Sequence, residues 1–77
     1  MFTGRRFRLK SATLGIEGVS DERIATLVPA GEIIVVLSGP RPDDKRMLDV
    51  CWGDHRLVMF AEDVARRGEE IPGVSVQ

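Results

Sequence analysis

A small all-β domain with one short helical turn near its end is the fold class that three features of the sequence predict. Glycine and proline break the chain at short intervals: Gly15, Gly18, Pro29, Gly31, Gly39, Pro40, Pro42, Gly53, Gly68, Pro72 and Gly73. The segments between these turn signals have strand length. The run Glu32 to Leu37 is dominated by β-branched residues, whose stiff side chains suit a pleated surface. Two apolar-patterned segments, Met47 to Trp52 and Arg56 to Phe60, flank a tight Gly53-Asp54 connection, as a hairpin requires. With 77 residues the chain is one domain, its body spanning roughly residues 6–67 and residues 68–77 forming an extended tail.

The elements follow in order. From Arg6 to Leu14 the pattern alternates, with Phe7, Leu9 and Ser11 on one side and Arg6, Arg8 and Lys10 on the other. That period of two predicts a half-buried strand. Residues 15–22, glycine-rich and polar, read as a loop. Arg23 to Val28 fits two templates: Ile24, Leu27 and Val28 have helical spacing behind Ser20 as an N-cap, yet Pro29 disfavours a helical Val28. The apolar run that follows, with Pro29-Ala30-Gly31 as a tight turn, favours a hairpin over residues 23–38.

Ser38 to Arg46 is a polar loop stiffened by Pro40 and Pro42. In the next strand Leu48, Val50 and Trp52 share a face, and Arg56 to Phe60 returns beside it. Ala61 to Arg67 places acids first and arginines last, complementing a helix dipole, and Gly68 is a natural stop. Glu62 with Arg66, and Asp63 with Arg67, stand four apart in the favoured orientation.

Composition bounds the function. The chain is 43% hydrophobic and 30% charged with one cysteine, Cys51, which excludes a disulfide scaffold and argues against disorder. No apolar run reaches the ~20 residues of a membrane helix. The basic start lacks an apolar h-region, so no secretory signal and a reduced cytoplasmic setting are expected. The net charge of −1 argues against a strongly basic nucleic-acid module. Its distribution is uneven, with +4 over residues 1–10 and −5 over the rest.

The order of strand, Pro-Ala-Gly turn, apolar strand, polar loop and a strand ending in Trp52-Gly53, then a further strand and Phe60-Ala61-Glu62-Asp63-Val64, resembles the bacterial SH3-like barrels. The resemblance covers roughly residues 6–67 and implies a five-stranded SH3-like barrel in which Asp63-Val64 closes the helical turn. Two functions found on such barrels do not carry over. A polyproline groove needs tyrosines, and the chain has none. The trimethoprim-resistant dihydrofolate reductases carry Val-Gln-Ile-Tyr where this chain reads Leu57-Val58-Met59-Phe60. The Arg-x-x-x-Arg element of PilZ domains is also missing from Arg5, Arg6 and Arg8.

Candidate chemistry is sparse. One cysteine and one histidine cannot supply the three or four ligands of a metal site. Alternation turns Cys51 away from Trp52, and His55 sits at a hairpin tip, so no nucleophilic pair forms and no catalytic residue or cofactor is expected. Asp43-Asp44 reads as a solvated loop pair, and Asp49 as exposed or paired with Arg56 across the hairpin. Trp52 is either a core residue or, as the SH3-like resemblance implies, part of a ligand surface.

A domain this small has a thin core, roughly 3–5 kcal/mol of net stabilisation. Yet Ile33 to Leu37 and Leu57 to Phe60 are apolar on both faces. Excess apolar surface predicts a homo-oligomer using the outer sides of these strands, with Ile34, Val36, Val58 and Phe60 as one candidate set. The leading expectation is a non-enzymatic protein-interaction and self-association module. The alternative is a nucleic-acid-binding barrel using Arg5, Arg6, Arg8 and Lys10, with Trp52 as a stacking platform.

Overall fold

Alternating apolar residues can be buried only if the strands that carry them curl their apolar faces around a common centre, and this chain does so with seven strands. The computed structural model describes residues 3–72. The elements are β1 (Arg6–Leu9), β2 (Thr13–Val19), β3 (Glu22–Val28), β4 (Ile33–Ser38), β5 (Met47–Trp52), β6 (His55–Phe60), α1 (Ala61–Arg67) and β7 (Gly68–Ile71). They form one antiparallel sheet in the order β3-β2-β6-β5-β4-β1-β7, open at the β3 and β7 edges. Among the described residues no helix is long and apolar enough to cross a membrane.

The inner face carries the core: Phe7 and Leu9 of β1, Val28 of β3, Ile34 and Val36 of β4, Leu48 and Val50 of β5, Leu57 and Met59 of β6, and Val64 of α1. Val28 lies near one end of the strand order and Phe7 near the other, so their shared cluster requires the sheet to curl. Thr13, the one buried polar side chain among the described residues, donates to the Ser11 carbonyl at 3.0 Å, which offsets the cost of its burial.

Three elements follow the sequence pattern directly. The β5–β6 hairpin turns at Gly53-Asp54, with Gly53 in the left-handed region at φ 58°. In α1 the Glu62–Arg66 and Asp63–Arg67 pairs form at 3.1 and 3.8 Å. Gly68 ends the helix because its backbone lies against the preceding turn; a Cβ there would stand 2.5 Å from the Val64 carbonyl oxygen.

Elsewhere the pairing departs from expectation. The predicted first strand breaks at Lys10 to Ala12, separating β1 from β2. Residues 15–22 are mostly strand rather than loop, with a two-residue turn at Ser20-Asp21 and Ser20 at φ 56°. Glycine serves the strand here: a Cβ on Gly15 would stand 3.2 Å from Leu57, so the bare backbone seats the Leu57 side chain. Arg23 to Val28 is strand, not helix, but it pairs with β2 from Thr13↔Val28 to Val19↔Glu22, and β4 pairs with β1 and β5. The expected hairpin over residues 23–38 is therefore absent.

The Pro29–Gly31 turn diverts the chain instead of folding it back. Gly31 N–H donates to the Leu9 carbonyl at 2.7 Å and Leu9 N–H donates to the Glu32 carbonyl at 2.9 Å, which steers β4 onto β1. The first residues of the expected tail form β7, paired with β1 from Leu9↔Gly68 to Arg6↔Ile71; residues 73–77 lie outside the described residues. Seven strands in an open sheet thus stand where five in a closed barrel were expected.

Ile34 and Val36 are a second correction, because both are fully buried on the inner face and cannot serve an outer interface. The outer side of β4 carries Ile33, Val35 and Leu37 instead. This parity makes a direct prediction. Ile34→Ala costs about 2–5 kcal/mol and Ile34→Val about 0.5–1.5 kcal/mol in urea unfolding, at midpoints independent of protein concentration. A midpoint that moves with concentration, with little change in the monomer, would restore Ile34 to an interface.

Candidate functional site

The outer face of β3, β2 and β6 is where unsatisfied apolar surface collects. Alternation gives Arg23, Ala25 and Leu27 from β3, Leu14, Ile16 and Gly18 from β2, and Arg56, Val58 and Phe60 from β6. Register sets Leu14 opposite Leu27, Ile16 between Ala25 and Val58, and Gly18 opposite Arg23. The apolar end of this face is wet: Leu14 is 50% exposed, Leu27 61% and Phe60 41%. Isolated exposed leucines are ordinary, but neighbours across adjacent strands form a patch.

The 39–46 loop converts part of this face into a groove of about 460 Å³. Its floor is Ile16, Met47, Val58 and Phe60; Gly18 and Arg23 stand on the hairpin side, and Arg41, Asp43, Asp44 and Arg46 on the loop side. Backbone bonds pin that loop. Arg41 N–H donates to the Met47 carbonyl at 3.0 Å, Met47 N–H to the Asp44 carbonyl at 3.0 Å, and Ala61 N–H to the Arg46 carbonyl at 2.7 Å. Gly39, at φ 129°, lies so close to Leu48 that a Cβ would stand 2.8 Å from its Cδ2.

The two arginines of the loop are paired with carboxylates, whereas Lys45 is exposed and has no such partner among the described residues. Arg41 donates to Asp49 at 3.1 Å and to Asp43 at 3.3 Å. Asp49 also accepts from Ser38 at 3.2 Å, so its partners are these and not Arg56, which the hairpin register places opposite Cys51. The Arg46 guanidinium grips Asp44 at 3.0 and 3.1 Å, and this hydrogen bonding holds the Asp44 carboxyl below the usual carboxylate range. Arg23 and Arg56 have no such partner among the described residues.

The residues singled out from sequence are distributed as follows. Trp52 is half-buried against the core on the inner side, its indole N–H donating to Glu32 at 2.7 Å. It stacks on His55, ring centroids 5.3 Å apart, and His55 Nδ1 meets Glu17 at 3.0 Å, tying the β2–β3 hairpin to the β5–β6 turn. Arg6 and Arg8 lie on the outer side of β1, opposite Ile71 and Glu69 of β7. Arg5 pairs with Glu70 and its guanidinium carbon sits 5.5 Å from the Phe7 ring centroid. Lys10 is exposed where β1 ends. The basic first strand is thus matched by an acidic neighbour, and Trp52 is not on the face that presents Arg6 and Arg8. Val58 and Phe60 do face outward, in the groove.

Cys51 points away from His55, its thiol donating to the Gly53 carbonyl at 3.0 Å. Among the described residues no group of three His, Cys, Asp or Glu could hold a metal ion. The sequence does not single out Ile16 and Gly18, because residues 15–22 read as a loop, and it places Leu14, Arg23 and Leu27 on strands without a face. The available signal is the Leu14-x-Ile16 alternation, whose parity is opposite to that of Phe7 and Leu9.

No family model, no curated protein and no solved structure matches this chain.

The β1–β7 edge yields a pH prediction. Hydrogen bonding from Arg5 holds Glu70 below its ordinary value, so this pair stabilises β7 above the unfolded carboxylate range and loses that effect as pH falls through the lowered folded value. Amide exchange of β7 is expected to accelerate on acidification more in the wild type than in Glu70→Gln. Equal acceleration in both would remove Glu70 as the titrating group.

Proposed function

We propose that this chain is a non-enzymatic protein-interaction module of SH3-like build, whose docking face is the outer groove between the β2–β3 hairpin and the 39–46 loop. The observation that carries the reading is the groove itself, with its apolar floor, polar rim and a loop wall held by backbone hydrogen bonds. A pre-shaped groove lets a partner bind without the cost of ordering the loop first. Support for the SH3-like build is the strand order. β6-β5-β4-β1-β7 runs consecutively through the sheet, the short helix joins β6 to β7, and β2–β3 is a hairpin inserted between β1 and β4. A binding rather than catalytic role fits the chemistry, since the charged groups lining the groove are arginine–carboxylate pairs and Arg23, with no nucleophile beside a base among them.

The test is selection of displayed random dodecapeptides against the wild type, counter-screened with Phe60→Asp, whose side chain is exposed. Binders are expected to shift the amide resonances of Ile16, Val58 and Phe60 and to lose affinity for the variant. Binders that map elsewhere, or that ignore the variant, would contradict the groove as the docking face.

A further inference from the structure

The outer face has a direction. Its three strands present Leu27, Leu14 and Phe60 at one end, Ala25, Ile16 and Val58 in the middle, and Arg23, Gly18 and Arg56 at the other. The last row follows from the β2–β6 register, Ile16 opposite Val58, carried to the next residues on the same face. A Cβ built on Gly18 would meet nothing within 4 Å, so the row is two arginines on either side of open space.

Charge separates Arg23, which lines the groove, and Arg56, which shares its row on the outer face, from the loop arginines Arg41 and Arg46. Arg41 and Arg46 are held by Asp49, Asp43 and Asp44, whereas Arg23 and Arg56 have no partner among the described residues. The surplus guanidinium groups therefore lie at one end of an otherwise apolar track, on a chain whose net charge is −1. An occupant that leaves them unpaired forfeits charge-assisted hydrogen bonds, and one that brings a carboxylate there gains them.

We infer that the partner is an extended acidic segment of a protein, two aliphatic residues and then a carboxylate at alternate positions, with the carboxylate over Gly18 between Arg23 and Arg56. This rests on the groove being the docking face. The spacing follows from geometry: an extended chain rises about 3.3 Å per residue and turns every second side chain to the same face. Two aliphatic side chains then lie over the Leu14–Phe60 and Ile16–Val58 rows as the third reaches the arginine row. A nucleic acid fits less well, because its evenly spaced phosphates would lie along the apolar rows, where the neighbouring cations Arg41 and Arg46 are already neutralised.

The experiment titrates the full chain with a dye-labelled Ser-Val-Thr-Val-Thr-Glu-Ser peptide, the same peptide with Gln for Glu, and the same with Lys for Glu. The acidic peptide is expected to bind about three- to tenfold more tightly than the Gln peptide, with the difference shrinking as salt rises. Arg23→Ala and Arg56→Ala each erase part of that preference without unfolding the chain, since both side chains are exposed and make no hydrogen bond or ion pair among the described residues. Arg23→Glu with Arg56→Glu transfers the preference to the Lys peptide. Equal binding of the acidic and Gln peptides, mapped to the groove, overturns the acidic partner and leaves the docking face standing. Failure of all three peptides, with a single-stranded oligonucleotide shifting the same resonances or with the chain sedimenting as a dimer that Phe60→Asp dissociates, overturns the acidic segment and replaces it with that occupant.

Discussion

The seam between β2 and β6 is the contact on which the rest of the structure depends. Only two residue pairs, Ile16↔Val58 and Glu17↔Leu57, form its ladder, yet it attaches the whole β2–β3 hairpin to the sheet. Gly15 leaves room at the seam: a Cβ there would stand 3.2 Å from the Leu57 side chain, which is buried on the inner face. Burial of a leucine side chain contributes about 1.5–3 kcal/mol, a large share of the stability of so small a domain. Glu17 adds a second tie to the same seam, reaching His55 on β6 and Thr26 on β3. On the opposite face the seam presents Ile16 beside Val58, which is the groove floor.

A curled sheet of this length has one inner face, and ten apolar residues fill it. The remaining apolar residues must go outward, and β4 and the β2–β3–β6 face divide them unequally. On β4 the outward Val35 is half-buried between Ile33 and Leu37, which are 38% and 36% exposed, whereas Leu14 and Leu27 remain half exposed or more. The charged loop beside them supplies a wall and no cover. The proposed docking role therefore draws on the apolar surplus left once the core is full, and on two arginines that the pairing of the 39–46 loop leaves aside.

Local patterns were legible in the sequence and long-range pairing was not. The β5–β6 hairpin, the ion pairs of α1 and its stop at Gly68 all depend on residues within a few positions of each other, and each reads directly from spacing. The parity of Ile33 to Leu37 does not: in an unbroken apolar run either alternate set can face inward, and a shift of one residue exchanges them. The contact of Phe7 with Ile34 across β1 and β4 fixes it, and that pairing joins residues far apart in the chain. Gly15 and Gly18 misled for a related reason, since glycine marks loops and close approaches alike, and only the presence of Leu57 above Gly15 tells which. The basic first strand was visible, but the pairing of Arg5 with Glu70 of β7 was not, because Glu70 lies some sixty residues later.

Cross-strand nuclear Overhauser effects in solution test the central claim most directly, at a concentration where the chain sediments at its monomer mass of 8.5 kDa. The account predicts contacts between the backbones of Ile16 and Val58 and of Glu17 and Leu57, with the backbone of β3 laddered to β2 and not to β4. Contacts between residues 23–28 and 33–38 in their place, as a local hairpin would give, would remove the seam, the groove floor and the docking face together.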